Sequence, residues 1–381
     1  LPYDLYDAAG RRLLPEGIVP PDAGMLERLI ERGAYCDADR HAAVARPGAA
    51  TPSMMLPKVA RVRPWQRLNA LRERLEPALH EIAVGSRAAA GALDTVRGAA
   101  AELQRLCALD PDALLAAPLL LEGGRYGTRH AIAAAVVLEF MLVHRGAPGA
   151  DRRTAMLAAL TMNVGMLALQ DTLYAHAGPL SAEQRAGVLG HPQAGVVLLG
   201  AAGVDDPVWL AIVAQHHEHL DGSGYPARLA GGSIRLQAQA LMVADRWCAM
   251  VAPRAYRPGA PPDQALRVLL GRLAGEVDPA LAQRLDEVVG PMPPGTPVEL
   301  ASGELGIVFR RTPDPASPRV LVLRSASGEP VTESVVRTTN DPKQRIVATI
   351  DRGRLDARID PVRVWEAAEV VEPDAPVQPA S

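Results

Sequence analysis

A dense group of polar residues that could bind metal ions lies at residues 216–226. The segment reads His-His-Glu-His-Leu-Asp-Gly-Ser-Gly-Tyr-Pro, and it directly follows the apolar segment 208–213. Imidazole and carboxylate groups are metal ligands, and side chains of this kind on the helices of a bundle are a known way to build a two-metal site. The segment therefore predicts metal chemistry at the end of a buried helix.

The same segment resembles the signature of the HD-GYP family, bacterial phosphodiesterases that open the second messenger cyclic di-GMP at a two-metal site. Other motifs of that family occur before and after this segment, in the family's order and over nearly half of the chain. They are His130 at the start of an apolar helix, Gly178-Pro179-Leu180-Ser181, His191-Pro192 and Ala244-Asp245. Because the order is kept over such a length, the resemblance implies the helical HD-GYP fold.

The resemblance also implies a partly preserved metal site. The side chains that remain of ligand type are His130, His191, His216, His217 and Asp245. The His-Asp pair that names the family is missing, because Met162 and Asn163 stand in its place. Met166 replaces a lysine that could contact a phosphate or an activated water. No residue of the chain is therefore assigned as catalytic.

The missing aspartate would bridge two metal ions, which in such hydrolases lie about 3.5–4 Å apart. Asn163 has nearly the same shape, but it is neutral and offers a single carbonyl oxygen. Met162 offers a thioether, a soft and weak ligand for iron, manganese or zinc. By family analogy the first metal loses half of its ligands, whereas the second keeps three neutral histidines. We expect one weakly bound divalent ion of this kind at most.

The turn after the paired histidines is a candidate surface for a substrate or a partner. Its residues of interest are Asp221, Gly222, Gly224, Tyr225, Pro226 and Arg228. The two glycines permit positive φ, and the tyrosine is expected to present its ring and hydroxyl outward. In the family this loop lies beside the substrate groove and is linked to contacts with diguanylate cyclase (GGDEF) domains. A purely structural turn would have the same sequence.

Several neighbouring side chains have two interpretations each. Phosphate groups could be contacted by arginines near the motif, although solvated surface arginines fit equally, and these are Arg125, Arg129, Arg228 and Arg235. Cys248, one helical turn beyond Asp245, is either a weak extra ligand or a buried free thiol. His219 is expected to face solvent.

Three hypotheses for the function follow. The leading one is a catalytically impaired HD-GYP protein that acts as a regulatory or binding module in bacterial cyclic di-GMP signalling, with cyclic di-GMP, a GGDEF-type domain or a second copy of the chain as partner. The second is a residual metal-dependent phosphodiesterase that hydrolyses cyclic di-GMP slowly. The third is an interaction scaffold that binds no ligand.

Net charge, cysteine content and the length of the apolar runs bear on the partners and the location of the protein. The 381 residues carry a net charge of −3, which gives no reason to propose a nucleic-acid polymer as partner. Three widely separated cysteines suit a reducing compartment, so we expect a cytoplasmic protein. The longest apolar run, at 131–143, contains Glu139 and is shorter than the roughly 20 residues of a spanning helix, so no membrane span is expected.

The chain is predicted to be mainly α, with a helical bundle between two small modules. The expected divisions are an N-terminal α/β module at 1–40, a linker at 41–65, connecting helices at 66–111, the HD-GYP-like domain at 112–290, an antiparallel β module at 291–371 and a disordered tail at 372–381. The first module should contain a hairpin and a helix at 22–32. The connecting helices should break near Gly85 or Gly91.

The β module is predicted from a change of pattern after Pro291. Turn residues separate short runs rich in β-branched side chains, and these runs lie at 298–300, 305–309, 319–323 and 346–350. This spacing favours a small barrel or sandwich of antiparallel strands.

Overall fold

The structure, a computed structural model, describes two strands near the N-terminus and most of the chain from residue 63 onward. The described ranges are 5–6, 12–14, 63–355 and 359–368, with the side chains of 366–368 left aside. The chain divides into two compact units, 1–61 and 62–381.

In the first unit, strand β1 (Leu5–Tyr6) pairs antiparallel with strand β2 (Arg12–Leu14), which is the predicted hairpin. The predicted helix at 22–32 and the C-terminal tail at 372–381 lie outside the described residues. The predicted linker does not extend to residue 65, because Pro64 and Trp65 already belong to the first described helix.

The second unit is built mainly from helices. In chain order they are α1 (Pro64–Ala83), α2 (Ala89–Leu109), α3 (Pro111–Leu115), α4 (Ala117–Leu120), α5 (Tyr126–His144), α6 (Gly149–Thr161), α7 (Leu167–Ala175), α8 (Ala182–Ala202), α9 (Pro207–Gln215), α10 (Leu236–Val251), α11 (Pro262–Arg272) and α12 (Pro279–Val289). Short 3-10 turns lie at Val164–Met166 and Gly231–Ser233. The break between α1 and α2 contains Gly85 at φ 61°, as predicted, whereas Gly91 lies inside α2.

Helix α5 is the central element of the bundle. It is apolar on all sides, and a helix of that kind is buried by its neighbours, here α6, α10 and α12. By length and composition, α5 and the stretch Gly149–Ala175 would suffice to cross a membrane, but 89% of the apolar window of α5 is buried within the fold. Glu139 is buried in the same helix, so desolvation raises its pKa, and the guanidinium of Arg152 lies 3.3 Å away.

The C-terminal part of the unit forms one antiparallel sheet. Its strands are β3 (Pro297–Leu300), β4 (Leu305–Arg310), β5 (Arg319–Arg324), β6 (Pro330–Thr338) and β7 (Ile346–Thr349), in the spatial order β6-β5-β4-β3-β7. The predicted barrel or sandwich is wrong, because β6 and β7 are the two edges of a single sheet. Strand β6 was not predicted.

Two further features tie the C-terminal part of the unit to the bundle. Helix α13 (Pro361–Ala368) places Trp365 against Trp65 of α1, with ring centroids 5.7 Å apart. The guanidinium of Arg310 in β4 makes a two-pronged ion pair with Asp110 at the start of α3, with one arm at 3.0 Å. The mainly helical architecture with a small antiparallel sheet is thus as predicted.

Candidate functional site

Three of the predicted ligands form one compact cluster. His191 lies in the middle of α8, and His216 and His217 follow directly after α9. One ring nitrogen from each histidine lies within 4.8 Å of the others, and the two Nε2 atoms of His191 and His216 are 3.1 Å apart. His191 and His216 are fully buried, and His217 is half-buried. Three imidazoles at this spacing are suited to binding one divalent ion.

Backbone carbonyls fix the tautomers of two of these rings. The Nδ1 of His191 donates to the carbonyl of Val188 at 2.6 Å, and the Nδ1 of His216 donates to that of Val213 at 2.7 Å. Because a carbonyl only accepts, each Nδ1 carries the proton and each Nε2 of a neutral ring presents a lone pair. Two lone pairs therefore face each other, and a shared cation would relieve their repulsion. Metal-bound histidines are oriented in this way.

Burial keeps the cluster neutral. Desolvation, followed by the proximity of His216, lowers the pKa of His191 to about 3. Burial is also the main cause that lowers the pKa of His216 and, more strongly, that of His217. Neutral imidazole is the form that binds a metal, so the donor set fits one ion at neutral pH without first losing protons.

The other two predicted ligands contact each other. His130 near the start of α5 and Asp245 in α10 are both buried, and Nε2 of the first lies 2.5 Å from Oδ1 of the second. Burial opposes the charge of Asp245, but the hydrogen bond with His130 and the nearby imidazoles outweigh it and lower the pKa of the carboxyl group. The charge of the same carboxylate acts to raise the pKa of His216 and of His217 against the effect of burial, so this pair lies within electrostatic range of the three-histidine cluster.

The segment with the substituted pair packs against the helix that carries His191. Met162 is fully buried at the end of α6, and Asn163 is 4% exposed. Gly165 lies so close to α8 that a Cβ there would collide with the carbonyl of His191. The Oδ1 atom of Asn163 is buried and has no hydrogen-bond partner among the described residues. An unused buried acceptor is costly, and a bound cation or water is one way to satisfy it.

A buried carboxylate holds the turn after the paired histidines. Glu218 is 1% exposed and accepts hydrogen bonds from the backbone N–H groups of Ala227 at 2.6 Å and Leu229 at 2.8 Å. It therefore fixes the loop from within rather than pointing at the histidine cluster. The sequence identified a carboxylate beside the histidines but gave no signal of this role.

Two expectations for the turn are wrong. Tyr225 does not point outward, because its ring stacks on His217 with centroids 4.7 Å apart, and burial raises its pKa. Gly222 has φ 77° as predicted, but Gly224 is not at positive φ. It is needed for close approach instead, since a Cβ at Gly224 would lie 2.6 Å from the carbonyl oxygen of His217.

The remaining residues of the turn lie at the surface. Asp221 is exposed, and hydrogen bonds from the Ser223 side chain and from the Ser223 N–H, the latter to Oδ1 at 2.9 Å, lower its pKa. Pro226, which follows a cis peptide bond, and Arg228, at φ 54°, are also exposed. The outer rim of the turn is therefore available to a ligand or partner, whereas its inner side closes the histidine cluster.

His219 is also not where the sequence placed it. Its side chain is 13% exposed, its Nε2 lies 2.6 Å from the Arg246 guanidinium, and that guanidinium pairs with Glu276. The Leu220 N–H donates to the carbonyl of Glu276 at 2.8 Å. This network joins the turn to the segment after α11, and only the fold brings its members together.

Two of the four arginines proposed as phosphate contacts have partners within the chain. Arg125 pairs with Asp171 at 3.1 Å, and Arg129 donates to the carbonyls of Gly123 and Gly124. Arg228 and Arg235 are exposed. Cys248 is a buried free thiol whose pKa is raised by desolvation and by Asp245, so it is protonated at neutral pH.

The sequence and structure are similar to those of known proteins. A family model described as "HD domain" matches residues 119–281. A cyclic di-GMP phosphodiesterase of Pseudomonas aeruginosa is 30% identical, over 59% of this chain and 55% of that protein. A cyclic di-GMP phosphodiesterase response regulator of Xanthomonas campestris is 32% identical over 35% of each. The chain thus spans about half or less of the length of these relatives.

A solved structure gives the same architecture. An HDG"Y"P protein from Bdellovibrio bacteriovorus superimposes with a TM-score of 0.51 at 15% identity, over 76% of this chain and 94% of that one. At this identity the likeness concerns the fold alone.

Proposed function

Because this chain belongs to the HD-GYP family of HD-domain proteins, we propose that it acts in cyclic di-GMP signalling as a binding or regulatory module whose phosphodiesterase centre is impaired. The proposed signalling role is supported by the similarity to the cyclic di-GMP phosphodiesterases named above. The impairment is inferred from the chain's own residues, as is the single metal ion that the centre would hold.

The observation that carries this proposal is the direct contact between His130 and Asp245. These two side chains are the remainder of the first metal position, and they satisfy each other. The neutral Asn163 cannot supply the bridging charge that holds two dications about 3.5–4 Å apart. Without a second ion, the clamp on both the attacking and the leaving oxygen of a phosphodiester is incomplete.

The three-histidine cluster would hold the remaining ion, with iron, manganese or zinc as candidates. A bound ion would supply Lewis acidity toward a phosphate oxygen. His191 and His216 would bind it through Nε2, oriented by their backbone carbonyls, and Tyr225 shields the cluster by stacking on His217. The exposed rim of the turn, with Asp221, would meet a cyclic dinucleotide, a GGDEF-type domain or a second copy of the chain. We place this action in the cytoplasm.

A residual phosphodiesterase is the alternative, and the complete three-histidine cluster favours it. A single ion held by three neutral imidazoles is a working arrangement in mononuclear hydrolytic enzymes. Slow hydrolysis of cyclic di-GMP would then survive the loss of the bridge.

The test combines three measurements on the purified protein. Elemental analysis after loading with manganese, iron or zinc gives the number of ions, calorimetric titration gives binding of cyclic di-GMP, and chromatography gives the linear product. We expect about one ion, binding of the dinucleotide and no steady turnover. Steady hydrolysis with one ion would favour the residual enzyme. Absence of both metal and dinucleotide binding would leave only the ligand-free scaffold.

A further inference from the structure

Helix α8 carries an apolar surface that no step of the proposed function uses. Between Ala186 and Ala202 the helix contains no aspartate, glutamate, lysine or arginine. A helix that is apolar on all sides is normally buried by its neighbours, as α5 is. In α8, however, the buried residues are confined to one side, and they are His191, Pro192, Gly195, Leu199 and Ala202.

The opposite side of α8 is exposed. At 3.6 residues per turn, six exposed residues fall within about one third of the helix circumference. We call this set the outer face, and it consists of Ala186, Leu189, Gly190, Gln193, Val197 and Ala201. Leu189 is 44% exposed and Val197 is 62% exposed, and a Cβ at Gly190 would meet nothing within 4 Å. A continuous exposed apolar strip marks an interaction surface.

The loop after α1 extends the outer face toward the C-terminal end of α8. Val84 in this loop is 58% exposed, and a Cβ at Gly85 would lie 3.8 Å from Cδ2 of Leu198. Arg87 follows in the same loop and is also exposed. The apolar surface therefore spans two elements and has a cation beside one end.

An anion lies beside the other end. Glu183, in the first turn of α8, is exposed, and neither Glu183 nor Arg87 forms an ion pair within the described part of the chain. Fifteen residues separate Glu183 from Leu198, which places them about 60° apart around the helix, on the same side of the outer face. Glu183 and Arg87 thus border the outer face on one side, at its opposite ends.

We propose that a second copy of this chain covers the outer face, with the two α8 helices packed antiparallel about a two-fold axis near Gln193. Such an axis uses the same surface on both copies. Antiparallel packing brings the start of one α8 beside the end of the other, so that Glu183 of each copy meets Arg87 of the other. Gly190, which has no side chain, lets the helices approach closely. The inference goes beyond the proposed function, because the outer face lies on the side of α8 opposite His191.

Sedimentation equilibrium of the full chain tests the proposal. We expect the parent to dimerise at concentrations of about 1–100 μM. In Val197→Glu each copy would bury a carboxylate near that of the other, so the dissociation constant should rise at least about a hundredfold. Val268→Glu is the matched control and should dimerise like the parent, because Val268 is 44% exposed on α11 and lies outside the outer face.

A charge exchange tests the antiparallel arrangement. Glu183→Arg and Arg87→Glu each place like charges together at both ends of the contact, and each should raise the dissociation constant about tenfold. The double variant restores opposite charges and should return the constant to within about twofold of the parent. Circular dichroism checks the fold of every variant.

A parent that stays monomeric at about 100 μM would overturn the proposal, and the outer face would then belong to another occupant. Equal dimerisation of Val197→Glu and Val268→Glu would overturn it too, because the contact would lie elsewhere. A double variant that dimerises no better than the two single variants would contradict the antiparallel pairing. If Val197→Glu does not fold, the charge exchange decides. None of these measurements uses cyclic di-GMP, so their outcome is separate from that of the proposed function.

Discussion

His130 and Asp245 lie in direct contact, with Nε2 and Oδ1 2.5 Å apart in a buried setting. Two atoms that share a metal ion at bond lengths of about 2.0–2.2 Å are held roughly 3 Å or more apart in tetrahedral geometry. The observed separation is shorter than that and is one of direct hydrogen-bonding contact. The two side chains, on α5 and α10, therefore link the helices of the bundle directly.

Restoring the missing pair should reopen the first metal position. In the double variant Met162→His with Asn163→Asp, a second imidazole and an anionic bridge return to the segment that packs on the helix of His191. We expect metal content to rise from about one ion per chain to about two, measured by elemental analysis after manganese loading. Met162→His alone is the control, since it adds a ligand without the bridging charge and should stay at one. A double variant that binds no more metal than the parent would contradict the argument.

The three-histidine cluster should account for the metal that the parent binds. His216→Ala removes one of two Nε2 atoms that face each other at 3.1 Å, and two remaining imidazoles do not complete the site. We expect the bound ion to be lost on desalting, with elemental analysis as the measurement. His80→Ala, at an exposed position of α1, is the matched control and should keep its metal. Equal metal content in both variants would place the ion elsewhere.

Much of the fold was predictable because local signals and packing agree. Gly85 lies in the break that follows the first connecting helix, and the apolar helix α5 is buried by its neighbours, as its composition requires. Strand β6 escaped prediction because it is an edge strand whose residues are exposed or half-buried throughout, so it has no buried face to create an alternating pattern. The single open sheet could not be told from a barrel, since closure depends on pairing between distant strands.

The candidate site was predictable to the extent that the order of the family's motifs along the sequence identifies the ligand-type residues. That order named His130 and Asp245, which are 115 residues apart in the chain and in contact in the fold. The inward stacking of Tyr225, the clamp by Glu218 and the partner of His219 depend on the path of one loop. Such side-chain directions follow from tertiary packing, which spacing in a sequence does not encode.

The close approach of Gly224 predicts a sharp difference between two glycines. In Gly224→Ala the new methyl group would press on the backbone of the paired-histidine segment, 2.6 Å from the Cα of Glu218, and backbone cannot move aside cheaply. We expect a loss of about 1–3 kcal/mol in the free energy of unfolding, together with weaker metal binding. Gly232→Ala, where a Cβ meets nothing within 4 Å, is the control and should be nearly neutral. Urea denaturation measures the free energy of unfolding of both variants. Equal values would show that the turn can shift to make room for the new methyl group.

The neutral histidines predict that the metal-free protein loses stability in mild acid. Their ordinary pKa is about 6.5, and in the fold that of His191 is lowered to about 3, so the unfolded chain binds more protons below pH 6.5. Stability contributed by the neutral ring is therefore complete above that pH and falls as the pH drops toward 3. Each such histidine adds a slope of up to about 1.4 kcal/mol per pH unit. The lowered pKa of Asp245 acts in the same direction but only below its ordinary value of 3.8.

Urea denaturation of the chelator-treated protein from about pH 7 to about pH 5 isolates the histidine contribution, because Asp245 stays ionised throughout that range. We expect the free energy of unfolding to decrease steadily with pH, and His191→Gln to decrease less steeply because one of the titrating rings is gone. His144→Gln, at an exposed position after the core of α5, should keep the slope of the parent. A free energy of unfolding that stays constant or rises toward pH 5 would mean that the histidines are already protonated in the folded protein. The argument that the folded cluster holds neutral imidazoles able to bind a metal ion would then fail.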